Sequence, residues 1–256
     1  MRILWVIRPA EGGMLNHISQ LLLGMPELEI VIAAPATLQK LAQGRKFFPV
    51  EIGDRVQFRS DWQAVREVRR LIRRIQPQLV HIHGLKAALI TAAALSFCLK
   101  RPRLVFTVHN NLPQPQGLAA QMAYAFAYQK LLRRMDVVIA VSDALREQLV
   151  AYTNPARVHT IRNGIPLDRF RGYSRSAARA AQGVPENAKV VGMTARLIAS
   201  KGVSTALKAM SLLGRIVPEL HFVVVGDGPE RARLEQYAKA LGLGNAVHFL
   251  GWRDDV

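Results

Sequence analysis

Cysteine is almost absent from this 256-residue chain, which contains only Cys98. A single cysteine excludes an internal disulfide framework and fits the reducing conditions of the cytosol. Cys98 lies in an apolar stretch typical of a helix, so we expect an inert buried thiol rather than a reactive nucleophile.

Long hydrophobic runs are lacking as well. The longest is "AALITAAALSFCL" at residues 87–99, and it falls short of the roughly 17 residues that a membrane-spanning helix needs. At the amino terminus, "MRILWVIRPAEGG" turns polar and glycine-rich after a short apolar stretch, which predicts no targeting segment. We therefore expect a cytoplasmic protein that is soluble or rests on the inner face of the membrane.

Acidic residues are scarce, because 18 Asp and Glu stand against 35 Lys and Arg and give a formal net charge of +17. This excess favours anionic partners such as nucleic acid, anionic lipid or phosphorylated small molecules. Within residues 61–77, one helical face is apolar and the opposite face carries Arg66, Arg69, Arg70, Arg73 and Arg74. The pattern predicts a core-packed helix whose basic face is either solvated or turned to an anionic membrane. No interleaved aromatics or helix-turn-helix pattern accompanies the arginines, so we expect no nucleic-acid partner.

Short apolar runs rich in β-branched residues alternate with helical patterns along the chain. Predicted strands occupy residues 2–7, 29–33, 79–83, 103–108, 136–141 and, more weakly, 157–161. Predicted helices lie near residues 14–24, 62–75, 84–99, 118–134 and 143–151. This alternation predicts an α/β fold built from βαβ units, with a parallel sheet covered on both faces.

Two domains are predicted, the second only about half present. Residues 1–165 form one Rossmann-like domain, and residues 166–187 carry Pro, Gly and charge without a clear core strand, as in a linker. Residues 188–256 repeat the alternation, with strands at 189–195, 220–226 and 246–251 and helices near 203–214 and 229–241. Ligands in such sheets bind beyond the carboxyl ends of the strands, so two facing sheets predict a cleft between them.

The ends of the amino-terminal strands carry candidate site residues. Gly12 and Gly13 precede a helix, where a backbone without Cβ atoms could approach a phosphate, although a structural turn explains them equally well. The spacing is not GxGxxG, so the dinucleotide fingerprint is absent. His17, one turn into that helix, is typical of a packing or capping histidine. His109 ends a strand, where an imidazole can bond a sugar hydroxyl, stabilise charge or serve the structure alone.

A metal site is not expected. His81 and His83 alternate along one strand, but no third ligand follows at a suitable spacing, and the sequence has no HExxH motif.

The ends of the carboxyl-terminal strands carry two cations and two glycines. Arg196 and Lys201 lie in "ARLIASKG", and a guanidinium fork with a compact ammonium suits a diphosphate leaving group. Gly226 and Gly228 lie in "VVVGDGPER" and open a helix whose N-terminus can meet an anionic or ribosyl group. Each alone is equally compatible with a surface cation or a tight turn. Their placement after adjacent strands favours a common ligand.

Taken in order, the motifs identify a family resemblance that covers essentially the whole chain. They are "EGG", "QPQLVHIHG", "TVHN", "VSDALREQL", "IRNGIPLDRF", "ARLIASKG", "VVVGDGPER" and "VHFLGWRDDV". The sequence resembles the retaining glycosyltransferases of family 4, which have the GT-B fold of two facing Rossmann-like domains. The resemblance implies transfer of a sugar, with retention, from a nucleotide-diphosphate donor to a glycan or lipid-linked acceptor, without a cofactor or metal. It also implies a place in cell-surface polysaccharide or lipopolysaccharide synthesis.

The resemblance also implies roles for individual residues. Arg196 and Lys201 match the cationic pair on the donor diphosphate, and Gly226, with Gly228 beside it, matches the loop on the nucleotide side. Gly12 and Gly13 match the glycine-rich loop that faces the phosphates. His109 matches the catalytic-site histidine near the transferred sugar.

One departure from the family concerns a segment beyond "FLGW" that carries two glutamates spaced eight apart and orients the donor sugar. The chain reaches its last residue before that segment, so we expect a truncation within the second domain, a strand at 246–251 without covering helices, and incomplete catalysis. Alternatives within the fold are a sugar-nucleotide epimerase and a glycogen-synthase-like polymerase. An alternative of another class is a non-catalytic binding module.

Overall fold

The chain forms two units, Met1–Pro166 and Leu167–Val256. The computed structural model describes residues 1–53, 57–96, 98, 101–217 and 219–253. Residues 97 and 99 of the helix predicted at 84–99, and the final residues 254–256, lie outside the described residues.

The first unit contains a seven-stranded parallel sheet. Its strands are β1 Arg2–Ile7, β2 Glu29–Ala34, β3 Phe47–Pro49, β4 Leu79–His83, β5 Arg103–Val108, β6 Val137–Ala140 and β7 Val158–Thr160. Their order across the sheet is β3-β2-β1-β4-β5-β6-β7. The order reverses between β1 and β4, which is the switch point where ligands of such sheets bind. The sequence did not predict β3, because three residues ending in proline are too short to show an alternation.

Helices cover both faces of this sheet. They are α1 Gly13–Leu23, α2 Phe58–Ile75, α3 Leu85–Ala94, α4 Leu118–Leu132 and α5 Asp143–Val150, with short 3-10 helices at Ala36–Ala42 and Pro155–Arg157. One core cluster joins α1 and the first 3-10 helix to one face, and a second cluster joins α2 to α5 to the other. No helix among the described residues is long and apolar enough to cross a membrane.

The central strand β1 shows why the sequence of this unit is so apolar. Leu4 and Val6 belong to the cluster beneath α2 to α5, whereas Ile3, Trp5 and Ile7 belong to the cluster beneath α1. All five side chains are buried, so the strand is a continuous hydrophobic run rather than an alternating one.

The second unit contains a smaller parallel sheet. Its elements are α6 Arg175–Ala181, β8 Lys189–Thr194, α7 Val203–Leu213, β9 Leu220–Val225, α8 Arg231–Ala240 and β10 Val247–Gly251, with 3-10 helices at Leu167–Phe170 and Ala199–Lys201. The strand order is β10-β9-β8, and the core joins both long helices to the sheet through Leu207, Phe222 and Leu234. Helix α6 lies within the segment predicted as a linker, where Ser174 caps it by accepting a hydrogen bond from the Ala177 amide.

One face of the strand predicted at 246–251 is covered, which corrects the expectation of a strand without covering helices. Val247 and Phe249 of β10 pack against the core of the second unit, and Arg231 Nη2 of α8 donates to the Phe249 carbonyl at 3.3 Å. The exposed strand is instead β8, where Val190 and Val191 are 39% and 42% accessible. It lies at the other edge of the sheet.

Candidate functional site

The carboxyl ends of β1, β4 and β5 bring together a set of polar residues. The strand register brings these residues together, because Ile7 of β1 is aligned with His83 of β4, and His83 is aligned with Thr107 of β5. The residues that follow each strand therefore meet at one edge. Arg8 follows β1, Gly84 follows β4, and His109 is the first residue after β5.

Arg8 lies across Gly84. A Cβ added to Gly84 would fall 2.5 Å from Arg8 Cδ and displace that side chain, and the φ of +92° at Gly84 is a conformation that favours glycine. Arg8 Nη1 donates to the Pro9 carbonyl at 3.2 Å. With the Asn110 amide oriented to satisfy both neighbours, its oxygen accepts from Arg8 Nη2 at 3.2 Å and its nitrogen donates to the His109 carbonyl at 3.1 Å. Arg8 thus ties the turn after β5 to the end of β1.

Four histidines cluster beneath this edge, on the face covered by α1. His83 Nδ1 lies 3.2 Å from His109 Nε2, and His81 Nε2 lies 2.8 Å from the Thr107 hydroxyl. The ring of His17 meets the ring of His109 edge-on, with centroids 5.4 Å apart. Trp5 packs beside His81 and His83.

Burial keeps these imidazoles uncharged. Desolvation, with smaller contributions from His109 and His17, lowers the pKa of His81 to about 3. Desolvation, then His17 and Arg8, lowers the pKa of His109 to about 4. The pKa of His83 is lowered well below its ordinary value, and burial also lowers the pKa of His17. At neutral pH the cluster is therefore a set of neutral donors and acceptors.

The glycine-rich loop opens α1 beside this cluster. Gly12 caps the helix at a φ of +55°, without a side-chain hydrogen bond, and the first turn has no acidic residue. A Cβ at Gly13 would meet nothing within 4 Å. The chain's own packing gives no steric reason for Gly13, and this 11-residue helix begins without a side-chain cap.

In the second unit, the loops after β8 and β9 lie directly against each other. Leu197 donates its amide to the Asp227 carbonyl at 2.9 Å, and Glu230 donates its amide to the Leu197 carbonyl at 3.1 Å. A Cβ at Gly226, where φ is +132°, would fall 2.0 Å from the Ala195 carbonyl oxygen, and one at Gly228 would fall 2.5 Å from that of Leu197. The two glycines permit this close approach of backbone to backbone.

Arg196 and Lys201 flank the first of these loops. Both side chains are exposed, and Lys201 ends a 3-10 turn immediately before α7. Helix α7 has Gly202 as its cap, without a side-chain hydrogen bond and without an acidic residue in its first turn. The positive end of the helix dipole and two cations therefore lie on one short segment, which suits an anionic ligand.

Sequence reasoning missed Arg8, the role of His83 and Arg231. Arg8 stands at a strand end, as His109 does, and that position was the available indication. Arg231 Nε donates to Glu235 at 2.9 Å and its Nη1 donates to Asp227 at 3.3 Å, so it braces the loop that carries Gly226 and Gly228. In the described part of the chain, no group of three or more His, Cys, Asp or Glu is arranged to hold a metal.

The arginines of α2 belong to the first unit. Arg66, Arg70, Arg73 and Arg74 are exposed, and Arg69 is half-buried. The structure adds two residues that the sequence did not single out, because Phe58 and Trp62 on the same helix are 89% and 65% accessible.

Two family models match the chain in succession. The model described as Glycosyltransferase Family 4 matches residues 11–169, and the model described as Glycosyl transferases group 1 matches residues 174–256. The chain belongs to glycosyltransferase family 4. The family that the ordered motifs indicated is thereby confirmed.

Several curated proteins are related to this family 4 chain. The D-inositol 3-phosphate glycosyltransferase of Saccharomonospora viridis is 34% identical over 133 residues, which is 48% of this chain and 31% of that protein. The lipopolysaccharide core biosynthesis glycosyltransferase LpsE of Rhizobium meliloti is 35% identical over 35% of this chain and 26% of its own. The GDP-mannose-dependent alpha-mannosyltransferase of Mycobacterium tuberculosis is 32% identical over 46% of this chain and 29% of its own. The chain matches less than half the length of each.

Solved structures share the fold. Anabaena HepE in complex with UDP has a TM-score of 0.78 at 24% identity, covering 100% of this chain and 70% of that one. Sucrose-phosphate synthase of Thermosynechococcus elongatus has a TM-score of 0.77 at 18% identity, covering 100% and 71%. A UDP-N-acetylglucosamine 2-epimerase has a TM-score of 0.64 at 11% identity, covering 99% and 69%. The predicted α/β fold of the GT-B type is confirmed.

Proposed function

We propose that this family 4 chain is part of a retaining glycosyltransferase that takes a sugar from a nucleotide-diphosphate donor. The observation that carries the proposal is the segment Arg196–Lys201, where two exposed cations precede the uncapped N-terminus of α7. The relatives named as glycosyltransferases and the HepE complexes with UDP and UDP-glucose support a nucleotide-sugar as the ligand.

The chemistry of the leaving group explains why cations are needed. When the glycosidic bond to the donor breaks, negative charge develops on the diphosphate oxygen that departs. A guanidinium and an ammonium placed at those oxygens stabilise that charge, as does the positive end of a helix. Arg196 supplies the guanidinium, Lys201 supplies the ammonium, and the N-terminus of α7 supplies the positive end of a helix. We propose on this basis that the transfer needs no metal.

Binding of donors to the 256-residue chain tests the assignment. We would titrate UDP-glucose, GDP-mannose and the corresponding free nucleotides into the protein by calorimetry. Arg196→Ala and Lys201→Ala each remove one charge-assisted hydrogen bond, worth about 1.5 to 3 kcal/mol, so each should weaken binding by about 10- to 100-fold. Lys208→Ala, an exposed cation on α7 beyond the segment, is the matched control and should leave binding unchanged. Equal binding by the parent and the Arg196→Ala/Lys201→Ala double variant would refute the assignment.

Product analysis separates the remaining alternatives. A glycosyltransferase joins the sugar to an acceptor and releases a nucleoside diphosphate, whereas an epimerase acts without an acceptor. A non-catalytic binding module would bind the donor and give neither product. Retention is tested by the anomeric configuration of the linkage, measured by NMR.

We propose further that the acceptor is lipid-linked and that the first unit contacts an anionic membrane. The exposed arginines of α2 follow Phe58 and Trp62 along that helix, and α4 exposes Leu118, Met122 and Phe126 at 74%, 66% and 59%. Residues 111–135, which include α4, contain no carboxylate. Basic residues with exposed aromatic and apolar side chains are the composition of an interfacial helix. This surface fits a role in cell-surface polysaccharide or lipopolysaccharide synthesis.

Trp62 reports directly on this contact. In a Trp252→Phe background, anionic vesicles should shift the Trp62 emission to shorter wavelength, and neutral vesicles should not. Replacing Arg66, Arg70 and Arg73 by Gln should weaken vesicle binding by about 1 kcal/mol per residue. Replacing three exposed arginines of the second unit by Gln makes the same charge change elsewhere and is the control; they are Arg171, Arg175 and Arg215. Equal binding to neutral and anionic vesicles would refute the electrostatic part of the proposal.

A further inference from the structure

His83 is a completely buried side chain with an incomplete set of hydrogen bonds. It has an accessibility of 0%, and its Nδ1 faces His109 Nε2 at 3.2 Å. Its Nε2 is buried and has no hydrogen-bond partner among the described residues, and the same holds for His109 Nδ1. The two rings therefore share one hydrogen bond and leave one unsatisfied nitrogen each.

Counting protons shows that the two rings control each other. Both imidazoles are neutral at pH 7, so each carries a proton on one of its two nitrogens. If His83 Nδ1–H donates, His109 accepts at Nε2 and must carry its own proton on Nδ1. If His109 Nε2–H donates, His83 must carry its proton on Nε2. The shared bond thus fixes which nitrogen of His109 is protonated.

The surroundings favour the first arrangement. In the second, the unpartnered N–H belongs to His83 Nε2, in a side chain that neither water nor a ligand reaches, beside Trp5 and His81. A buried N–H without an acceptor costs about 1 to 3 kcal/mol. In the first arrangement the unpartnered N–H is His109 Nδ1, which is also a buried atom, but its ring is only half-buried and lies at the edge where ligands of such sheets bind, so a ligand there is the acceptor available to it.

We propose that His83 is a positioning residue, which donates from Nδ1 to His109 Nε2 and thereby makes His109 Nδ1 a hydrogen-bond donor. The second part of the proposal rests on the proposed function: the His109 Nδ1–H donates to a hydroxyl oxygen of the sugar. His83 touches no reacting atom in this scheme. It sets the tautomer and the ring plane of His109, the residue that contacts the sugar.

His81 provides a contrast within the same strand. It is half-buried, contacts Trp5 and points to the same side of the sheet, two residues before His83. Its hydrogen bond goes to the Thr107 hydroxyl rather than to a second histidine. A variant at His81 therefore disturbs the core in a similar way without removing the partner of His109.

Nitrogen-15 NMR of the histidine rings tests the proposal on the full chain without any ligand. Long-range correlations between ring protons and ring nitrogens distinguish a protonated nitrogen from a bare one, and His109→Gln assigns the His109 signals. We expect His109 to be protonated at Nδ1. A His109 protonated at Nε2 in the parent protein would overturn the proposal.

Three variants complete the test. His83→Asn places an amide N–H where Nδ1 was, so His109 should keep its Nδ1 proton. His83→Leu removes the donor, so the proton should move to Nε2 or exchange between the two nitrogens. His81→Leu, the matched control, should leave the tautomer of His109 unchanged. An unaltered tautomer in His83→Leu would refute the positioning role, and if that variant does not fold, the parent and His83→Asn still decide.

The outcome is separate from that of the proposed function. Failure of every nucleotide-sugar to bind would refute the transferase proposal and leave the tautomer measurement intact. A wrong tautomer would refute the role of His83 while donor binding at Arg196 and Lys201 stood.

Discussion

The buried histidine cluster makes the stability of the first unit depend on pH. The unfolded chain exposes its histidines with a pKa of about 6.5, whereas the folded unit holds the pKa of His109 at about 4 and that of His81 at about 3. Below pH 6.5 the unfolded state therefore binds protons that the folded state does not. The free energy of unfolding is greatest above pH 6.5 and falls as the pH decreases towards 4.

The magnitude follows from the same values. At pH 5, about 1.5 units below the unfolded pKa, each histidine that stays neutral on folding costs about 2 kcal/mol. His81, His83 and His109 together cost about 6 kcal/mol, and His17 adds to the effect in the same direction. A domain of this size has a total stability of about 5 to 15 kcal/mol, so the loss is a large part of it.

Urea unfolding at pH 7 and pH 5 measures the effect. The buried Trp5 is a reporter of the first unit, and Trp62→Phe with Trp252→Phe leaves it as the sole tryptophan. Near pH 5 the free energy of unfolding should change by about 4 kcal/mol per pH unit, as three protons require. Equal free energies at the two pH values would refute the reasoning.

Variants assign the effect to the cluster. His81→Gln keeps an amide within reach of Thr107 but does not titrate, so the difference between pH 7 and pH 5 should shrink by about 2 kcal/mol. His159→Gln, on an exposed position of β7, is the control and should leave the difference unchanged. A pH dependence that His81→Gln does not reduce would place its origin outside the cluster.

Three further predictions concern other parts of the molecule. Gly226→Ala should destabilise the second unit by more than about 2 kcal/mol in urea unfolding, because its Cβ would fall 2.0 Å from a carbonyl oxygen, whereas Gly244→Ala, with open space around it, should be nearly neutral. Asp61→Asn should lower the free energy of unfolding of the first unit by about 3 kcal/mol, because it removes the 2.5 Å ion pair with Lys86, whose side chain is only 10% accessible. Surface ion pairs contribute less than about 1 kcal/mol, so a loss below that value would contradict the prediction. Chelation by EDTA should not weaken donor binding in calorimetry, and a loss restored by magnesium would refute the metal-free proposal.

Much of the fold could be predicted because most strands and helices are marked by apolar patterns within short segments of the sequence. The long strands of both units are runs rich in apolar residues, and their positions agree with the structure to within two residues. Helix α2 begins at Phe58 rather than near residue 62, because its first turn exposes an aromatic residue and so shows no apolar periodicity. The strand β3 and helix α6 were missed for the same kind of reason, since each is short and barely contributes to a core.

Within the candidate site, the sequence indicates which residues end the strands but not which of them meet. Arg8, Gly84 and His109 come together because β4 lies between β1 and β5 in one particular register. A shift of one residue in β4 would turn His83 to the opposite face of the sheet. The hydrogen bond between His83 and His109 is therefore a property of the strand register, which residue spacing along the chain does not encode.

The glycines also differ in what explains them, and the sequence motifs alone do not show the difference. Gly226 and Gly228 are glycines because the loops after β8 and β9 touch, a reason that lies within the protein and would hold with no ligand at all. Gly13 has empty space where a side chain would be, at the N-terminus of a helix whose first turn carries no acid. The sequence motifs present these glycines alike. Because the described residues give Gly13 no steric reason to be glycine, we expect Gly13→Ala to fold as the parent does and to bind a phosphate-bearing ligand more weakly at the N-terminus of α1, which would separate binding from packing in one substitution.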